Sequence, residues 1–448
     1  MKPAQSYIDL FKDNRVLVER GSAGVMNSLR DAALASLEQY GLPHSGLEEY
    51  LHTDLSKWFE PDWGMNLARL DMPVDFAQAF KCSVPNLSTQ LYFLANDTFA
   101  SSDTAAKNLL PEGVFAGSLK EAAQSRPELV EKFYGKLADM EKPGIAAINT
   151  LFAQDGFLLY VPDGVVVEKP LQLITLLSST VDLMVNRRIL VVLGRAAQAK
   201  LLLCDHALAA NNYLVTQVIE LFAGRDSAFE LYDLEETHTA NLRASELYIS
   251  QSAGSKVAVD NLTLHNGQTR NTVCVNLDGP GAGLSLNGVA VTDKSQHVDN
   301  FTFVDHRATD CTSSELFKYV LDESSTGAFQ GKVLVREGAQ RTSSQQTNRN
   351  ICLTREARMF TQPQLEIYAD DVKCSHGATV GQLDERALFY MRQRGIPEQE
   401  ARMMLMLAFV GEVIGKVELE PLRDRLYRLV EKRFRGQLTQ CEGCRACR

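Results

Sequence analysis

Four stretches of the chain hold residue types able to do chemistry. In KCSHGATVG, Lys373 to Gly381, a thiol (Cys374) and an imidazole (His376) stand two residues apart. On a strand such residues share a face with Cα atoms about 6.6 Å apart, so both can reach one metal ion. Lys373 points the other way and does not activate Cys374. Spacing leaves a second reading open, a buried thiol beside a hydrogen-bonded imidazole. In QHVDNFTFVDH, His297 and Asp299 also share a face, while His306 lies nine residues on. All three converge only if the chain bends, and Asp299-Asn300 is the expected corner. The alternative is a set of corner polar groups that satisfy backbone donors and acceptors. The C-terminal CEGCRACR spaces Cys441, Cys444 and Cys447 as zinc and iron–sulfur ligands are spaced. Three thiolates need a fourth ligand, and terminal segments are commonly loose, so a metal contact and an unstructured tail stand level. GAFQGKV, Gly327 to Val333, has three residues between its glycines where a phosphate loop has four. It also has Val where Ser or Thr must ligate Mg²⁺, so it reads as a turn into a strand. No GxSxG elbow and no HExxH occurs.

The elements that must position these residues fall into regions. Residues 1–155 read as mainly helical. Val25, Leu29, Ala33 and Leu37 recur at helical spacing between Gly24 and Tyr40, and Gly41-Leu42-Pro43 stops that helix. A further helical stretch is expected over 116–140. Residues 156–380 change character: a dozen or more short runs such as RRILVVLG, KLLLCDH, KVAVDNLTLHNG and TVCVNLDGPGAG alternate with Gly, Asp, Asn and Ser. Such strands predict an all-β sandwich, barrel or stacked solenoid. Tight polar corners over so many strands favour a β-helix, although no strict sequence repeat is present. Residues 381–437 read as helical again. Ala401 to Val413 is apolar nearly all round, as in a helix buried on several sides, and the last helix covers about 420–436. Residues 438–448 form the Cys-rich tail.

Composition bounds the function. The 448 residues carry a formal charge of −10, which gives no electrostatic footprint for nucleic acid. The N-terminal MKPAQSYIDLFKDNRVLVER has no apolar secretory core. No apolar run nears the roughly 20 residues of a membrane span. The nine cysteines, most of them scattered, fit a reducing cytoplasm, where thiols serve as core fillers, ligands or nucleophiles.

Longer segments carry a family resemblance. Pro363 to Ala401, PQLEIYADDVKCSHGATVGQLDERALFYMRQRGIPEQEA, closely resembles the signature of the SufB/SufD family of iron–sulfur cluster assembly proteins. HVDNFTFVDHRA (His297 to Ala308), GAFQGKVLVREGAQRTSSQQTNRNICLT (Gly327 to Thr354) and INTLFAQDGFLLYVPDGVVVEKPLQL (Ile148 to Leu173) resemble it too. LPHSGLEEYLHTDL (Leu42 to Leu55) is a looser likeness, with Tyr50 and Leu51-His52 at the places of the usual Trp and basic-aromatic pair. The resemblance spans nearly the whole chain, strongest from about 295 to 415 and weak between about 60 and 140. SufB-like members typically read HEAT where this chain has SHGAT, with Gly377 at the Glu position, so the chain resembles the other branch.

The resemblance implies a fold that is mainly β with helical ends: a right-handed parallel β-helix core flanked by N-terminal and C-terminal helical domains. It implies a cytoplasmic, non-catalytic scaffold that pairs with a SufB-like paralogue and binds the ATPase SufC. The cargo would be a nascent iron–sulfur cluster, transient and shared with SufB, with no tightly bound cofactor on this chain alone. His376 would help hold that cluster at the interface of the paralogues, with Cys374 as second ligand or core neighbour. His297, Asp299, His306, Cys441, Cys444 and Cys447 are secondary candidates; the resemblance says nothing about the tail. Leu388, Met404, Leu405, Phe409 and Val413 would belong to the SufC-docking helices, with burial in this chain's own core as the other reading. Two rival functions remain at this level: a metal-assisted β-helix lyase or hydrolase, and a pure SufC-docking platform without cluster contact. Neither nucleic acid nor membrane is an expected partner.

Overall fold

The computed structural model describes residues 3–70, 88–100, 109–208 and 211–437. From Phe157 to Gly381 the chain winds as a parallel β-solenoid of about eight turns, each turn giving one strand to each of two sheets. Along the better-formed turns Gln268 pairs with His297 and His297 with Thr326, a step of 29 residues. Neighbouring strands are therefore parallel throughout the solenoid, and their in-register side chains stack in columns along its axis. Alternation along each strand sends one set of residues into the lumen and the other outward. The lumen set, including Leu171, Leu201, Ile219, Val259, Val275, Phe317 and Phe329, forms one long apolar core.

Both outer faces are also covered, which is why many strands read as nearly unbroken apolar runs rather than clean alternation. The strand Leu171–Leu177 is buried at every position. The first sheet is covered by the N-terminal region, where α1 (Pro3–Arg20), α2 (Arg30–Tyr40) and α3 (Ala146–Phe152) pack against Met184, Leu214, Val218 and Tyr248. Three C-terminal helices follow, α4 (Glu385–Gln393), α5 (Glu398–Ile414) and α6 (Glu420–Phe434): α5 and α6 cover the second sheet, their buried residues meeting Leu262, Val289, Val320 and Ile351, and α4, which buries no residue, packs on α5.

The repeat that the sequence conceals lies in the backbone of one corner. Gly164, Ala196, Asp226, Gly254, Gly281, Asp310 and Arg341 all adopt positive φ where the chain passes from the first sheet to the second. Each donates its N–H to a carbonyl of the following turn, as in Ala196 to Arg225, Asp226 to Ala253 and Asp310 to Gln340. Left-handed backbone favours Gly and is tolerated by Asp and others at modest cost, so one conformation recurs under changing residue names.

Four local expectations change. The helix expected over Gly24 to Tyr40 is two pieces, Gly24–Asn27 and Arg30–Tyr40. The stretch 116–140 opens as the strand Phe115–Ser118 and continues as two seven-residue helices, because Pro127 starts a new helix at its first turn. The region 1–155 also contributes strands: Gln90–Ala95 joins Leu171–Leu177, and Phe115–Ser118 joins Phe157–Val161, extending both sheets. Finally, Asp299-Asn300 is no corner. His297–His306 is a straight strand, bonded along its length to a parallel neighbour on each side.

Candidate functional site

The solenoid ends in an open turn. Arg358–Ile367 is the last strand of the first sheet and Val372–Gly381 the last of the second, so one edge of each has no strand beside it among the described residues. Such an edge presents a row of main-chain donors and acceptors ready for another strand. It also carries exposed apolar groups: Phe360, Ile367, Val380 and, at 64% exposure, Tyr368.

Cys374 and His376 lie on that final strand and share its lumen-facing side, as their spacing predicts. Cys374 is half-buried and packs against the end of the lumen core. Burial pushes its thiol up, with the Ser344 backbone pulling in the opposite direction. His376 is exposed at the mouth, in a surface concavity shared with Gln345, Gln346, Arg349 and Thr379. Lys373 faces away and is exposed. No group of three His, Cys, Asp or Glu able to hold a metal forms among the described residues, so an ion at this mouth would draw at most these two ligands from them.

Two polar columns run inward from the pair. Beneath Cys374, in register, lie Ser344 and then Ser313. The Ser344 and Ser313 hydroxyls are 2.8 Å apart, and Ser313 lies 2.9 Å from His306 Nε2. His306 is thus a lumen residue whose burial lowers its pKa to about 4. Beneath His376 lie Gln346 and then Glu315. Gln346 Nε2 donates to Glu315 Oε1 at 3.0 Å, and Thr302 Oγ1 donates to Glu315 Oε2 at 2.6 Å. Burial raises the Glu315 carboxyl to about 7 against the pull of these donors. Gly331, on the facing sheet, leaves space for Gln346: a Cβ there would lie 2.2 Å from the amide nitrogen. This gives the second glycine of GAFQGKV a packing role within the strand Thr326–Val335.

His297 and Asp299 face outward, away from His306, so the three do not converge. They are buried beneath the N-terminal segment that contains LEEYLHTD. Thr53 donates to Asp299, so its oxygen accepts from His297 Nε2 at 2.8 Å, and His297 Nδ1 accepts from Thr326 Oγ1 at 2.6 Å. Asp299 also accepts from Arg270 at 2.6 Å, whose guanidinium lies over Tyr50 and Phe301. Burial lowers the His297 pKa, so the ring is held neutral. Gln330 donates to the Glu48 carbonyl, and His52 stacks on Phe360 at 4.1 Å. Two separate sequence motifs therefore meet as the two halves of one clasp between the N-terminal region and the solenoid.

The five C-terminal candidates divide by exposure. Met404 is exposed and Leu388 half-buried. Leu405 and Phe409 are half-buried along a groove with Ile351, Val380 and Leu383, and Phe409 also packs under the Lys318 ammonium. Val413 is a correction: it is wholly buried in the core between helix and sheet and offers no surface to a partner. The exposed aromatics here are Phe389 and Tyr390 on α4, at 63% and 58% exposure. The sequence reading passed over them, although adjacent aromatics in a helix of low mean hydropathy were the available signal. Gln346 and Glu315 were also missed: each step of the column His376, Gln346, Glu315 is one solenoid turn, a register that no motif in the sequence marks. Cys441, Cys444 and Cys447 lie outside the described residues.

Comparison with known proteins adds the family. Residues 176–409 match the model of the SUF system FeS cluster assembly SufBD core domain, and residues 1–173 match that of the SufBD protein N-terminal region. An iron–sulfur cluster assembly SufBD family protein of Synechocystis is 28% identical, over 97% of this chain and 92% of its own length. The iron–sulfur cluster assembly protein SufD of Escherichia coli is 36% identical over 37% of this chain and 40% of its own length. The SufD of Bacillus subtilis is 23% identical over 79% and 81% respectively.

Proposed function

The chain belongs to the SufB/SufD family of iron–sulfur cluster assembly proteins, and from that premise we propose that it is a SufD-type scaffold subunit, itself without catalytic activity, of a cytoplasmic assembly complex. Its paralogue partner, a SufB-like chain, adds strands to the open edges at Arg358–Ile367 and Val372–Gly381. His376 then lies at the seam and serves as one ligand to a nascent cluster, with the remaining ligands on the partner. One observation carries this reading: the imidazole is exposed on the last strand of an unclosed sheet, at the mouth of the lumen. Stable clusters are held by four thiolates. A single imidazole beside a thiol that burial keeps protonated suits a site that must let its cargo go. Phe389, Tyr390 and Met404 form the docking surface for SufC, which supplies the ATPase activity.

The test is recovery of the tagged full chain from its own host, with identification of what accompanies it. SufB-like and SufC-like chains together support the assembly. Recovery of the chain with SufC alone would favour a docking platform without cluster contact. Charged substitutions Phe389→Glu and Tyr390→Glu are expected to release SufC and leave the paralogue bound.

A further inference from the structure

Gln346 is an unusual lumen residue. It is 1% exposed, yet its amide oxygen has no hydrogen-bond partner. The amide orientation is fixed from below once Glu315 is ionised, above about pH 7: the carboxylate can only accept, so the NH₂ group faces Glu315 and the oxygen is left over. Leaving a buried amide oxygen unpartnered is costly, so a donor is expected within reach. On the open side the in-register neighbour, about 4.8 Å away along the sheet, is His376. Both residues lie on the lumen side of their strands and line one concavity.

We propose that Gln346 is a positioning residue for His376: its amide oxygen accepts the proton of one imidazole nitrogen, leaving the other nitrogen unprotonated and aimed out of the mouth. Glu315 acts one turn deeper by setting which way the amide points, and Gly331 provides its room. Metal-binding imidazoles are commonly oriented by such a hydrogen bond from the second ring nitrogen. This rests on the reading of His376 as a cluster ligand, and the experiment separates the two.

The primary readout needs no cluster. The full chain labelled with ¹⁵N-histidine is examined at pH 8, where Glu315 is ionised, and the His376 ring signals are assigned by their loss in His376→Ala. A single tautomer is expected in the wild type, and a two-tautomer mixture in Gln346→Met. Should burying Met above the Glu315 carboxylate prevent folding, the double variant Glu315→Gln, Gln346→Met removes that carboxylate and carries the same expectation. A mixture in the wild type, or a tautomer unchanged by the substitution, overturns the proposal. The second readout is cluster formation on the complex with the SufB-like and SufC-like partners, expected to fall about 10-fold or more in Gln346→Met. A released tautomer with undiminished cluster formation overturns the positioning role. If His376→Ala is then equally silent, the ligand reading of His376 has failed and the hydrogen bond stands as a structural contact.

Discussion

At the scale of single residues, the histidines of this chain part into different jobs by the direction they face. His297 belongs to a clasp whose charged centre is Arg270 with Asp299, both almost wholly buried. Removing one partner of such a pair strands the other, at a cost of about 3–5 kcal/mol. Asp299→Ala is therefore expected to lower the urea midpoint of unfolding by a corresponding amount, while cluster formation per folded complex is unchanged. Glu315 supplies a pH signature. Its carboxyl is raised from the ordinary value of 4.5 to about 7, chiefly by burial. The folded state then holds a proton that the unfolded chain releases. The contribution of Glu315 to stability is full below pH 4.5 and is lost as pH rises through about 7. Glu315→Gln removes that dependence, so its stability relative to wild type should rise between pH 5 and pH 8 in paired urea titrations. A difference independent of pH would contradict the assigned environment. Cys374 and His376 were legible as a same-face pair because a two-residue spacing fixes that on any strand. Gln346 was not, because its relation to His376 is one solenoid turn, set by corner lengths that a single sequence does not display.

At the scale of elements, the strands were legible from their composition, and their stacking was favoured by tight corners. The 29-residue turn was hidden because its invariant part is a left-handed backbone position occupied by Gly, Ala, Asp or Arg in different turns. Position 127 shows the opposite failure: helical spacing continued through it, but a proline without an N–H ended one helix and began another. The elements on which the proposed function rests are the two terminal strands. Native sheets usually blunt or cover exposed edges, and this pair instead carries Ile367 and Tyr368 in the open. The double substitution Ile367→Glu, Tyr368→Glu is expected to leave the isolated chain folded by circular dichroism and to weaken its association with the SufB-like partner at least 10-fold by titration. Undiminished association would move the pairing surface elsewhere.

At the scale of the whole molecule, the N-terminal region covers one outer face of the solenoid and the C-terminal helices the other, leaving the last turn open. The molecule thus has a closed body, an edge that can pair, and a helical surface that can dock. No helix among the described residues is long and apolar enough to cross a membrane. His376 at the open end is proposed to help hold a cluster shared with a partner. That role is tested most directly by reconstituting clusters on the purified complex of this chain with its SufB-like and SufC-like partners, wild type beside His376→Ala, and reading the cluster's visible absorbance. The expected result is a variant complex of unchanged composition whose absorbance falls several-fold. An intact His376→Ala complex that gains the full wild-type absorbance would contradict the account.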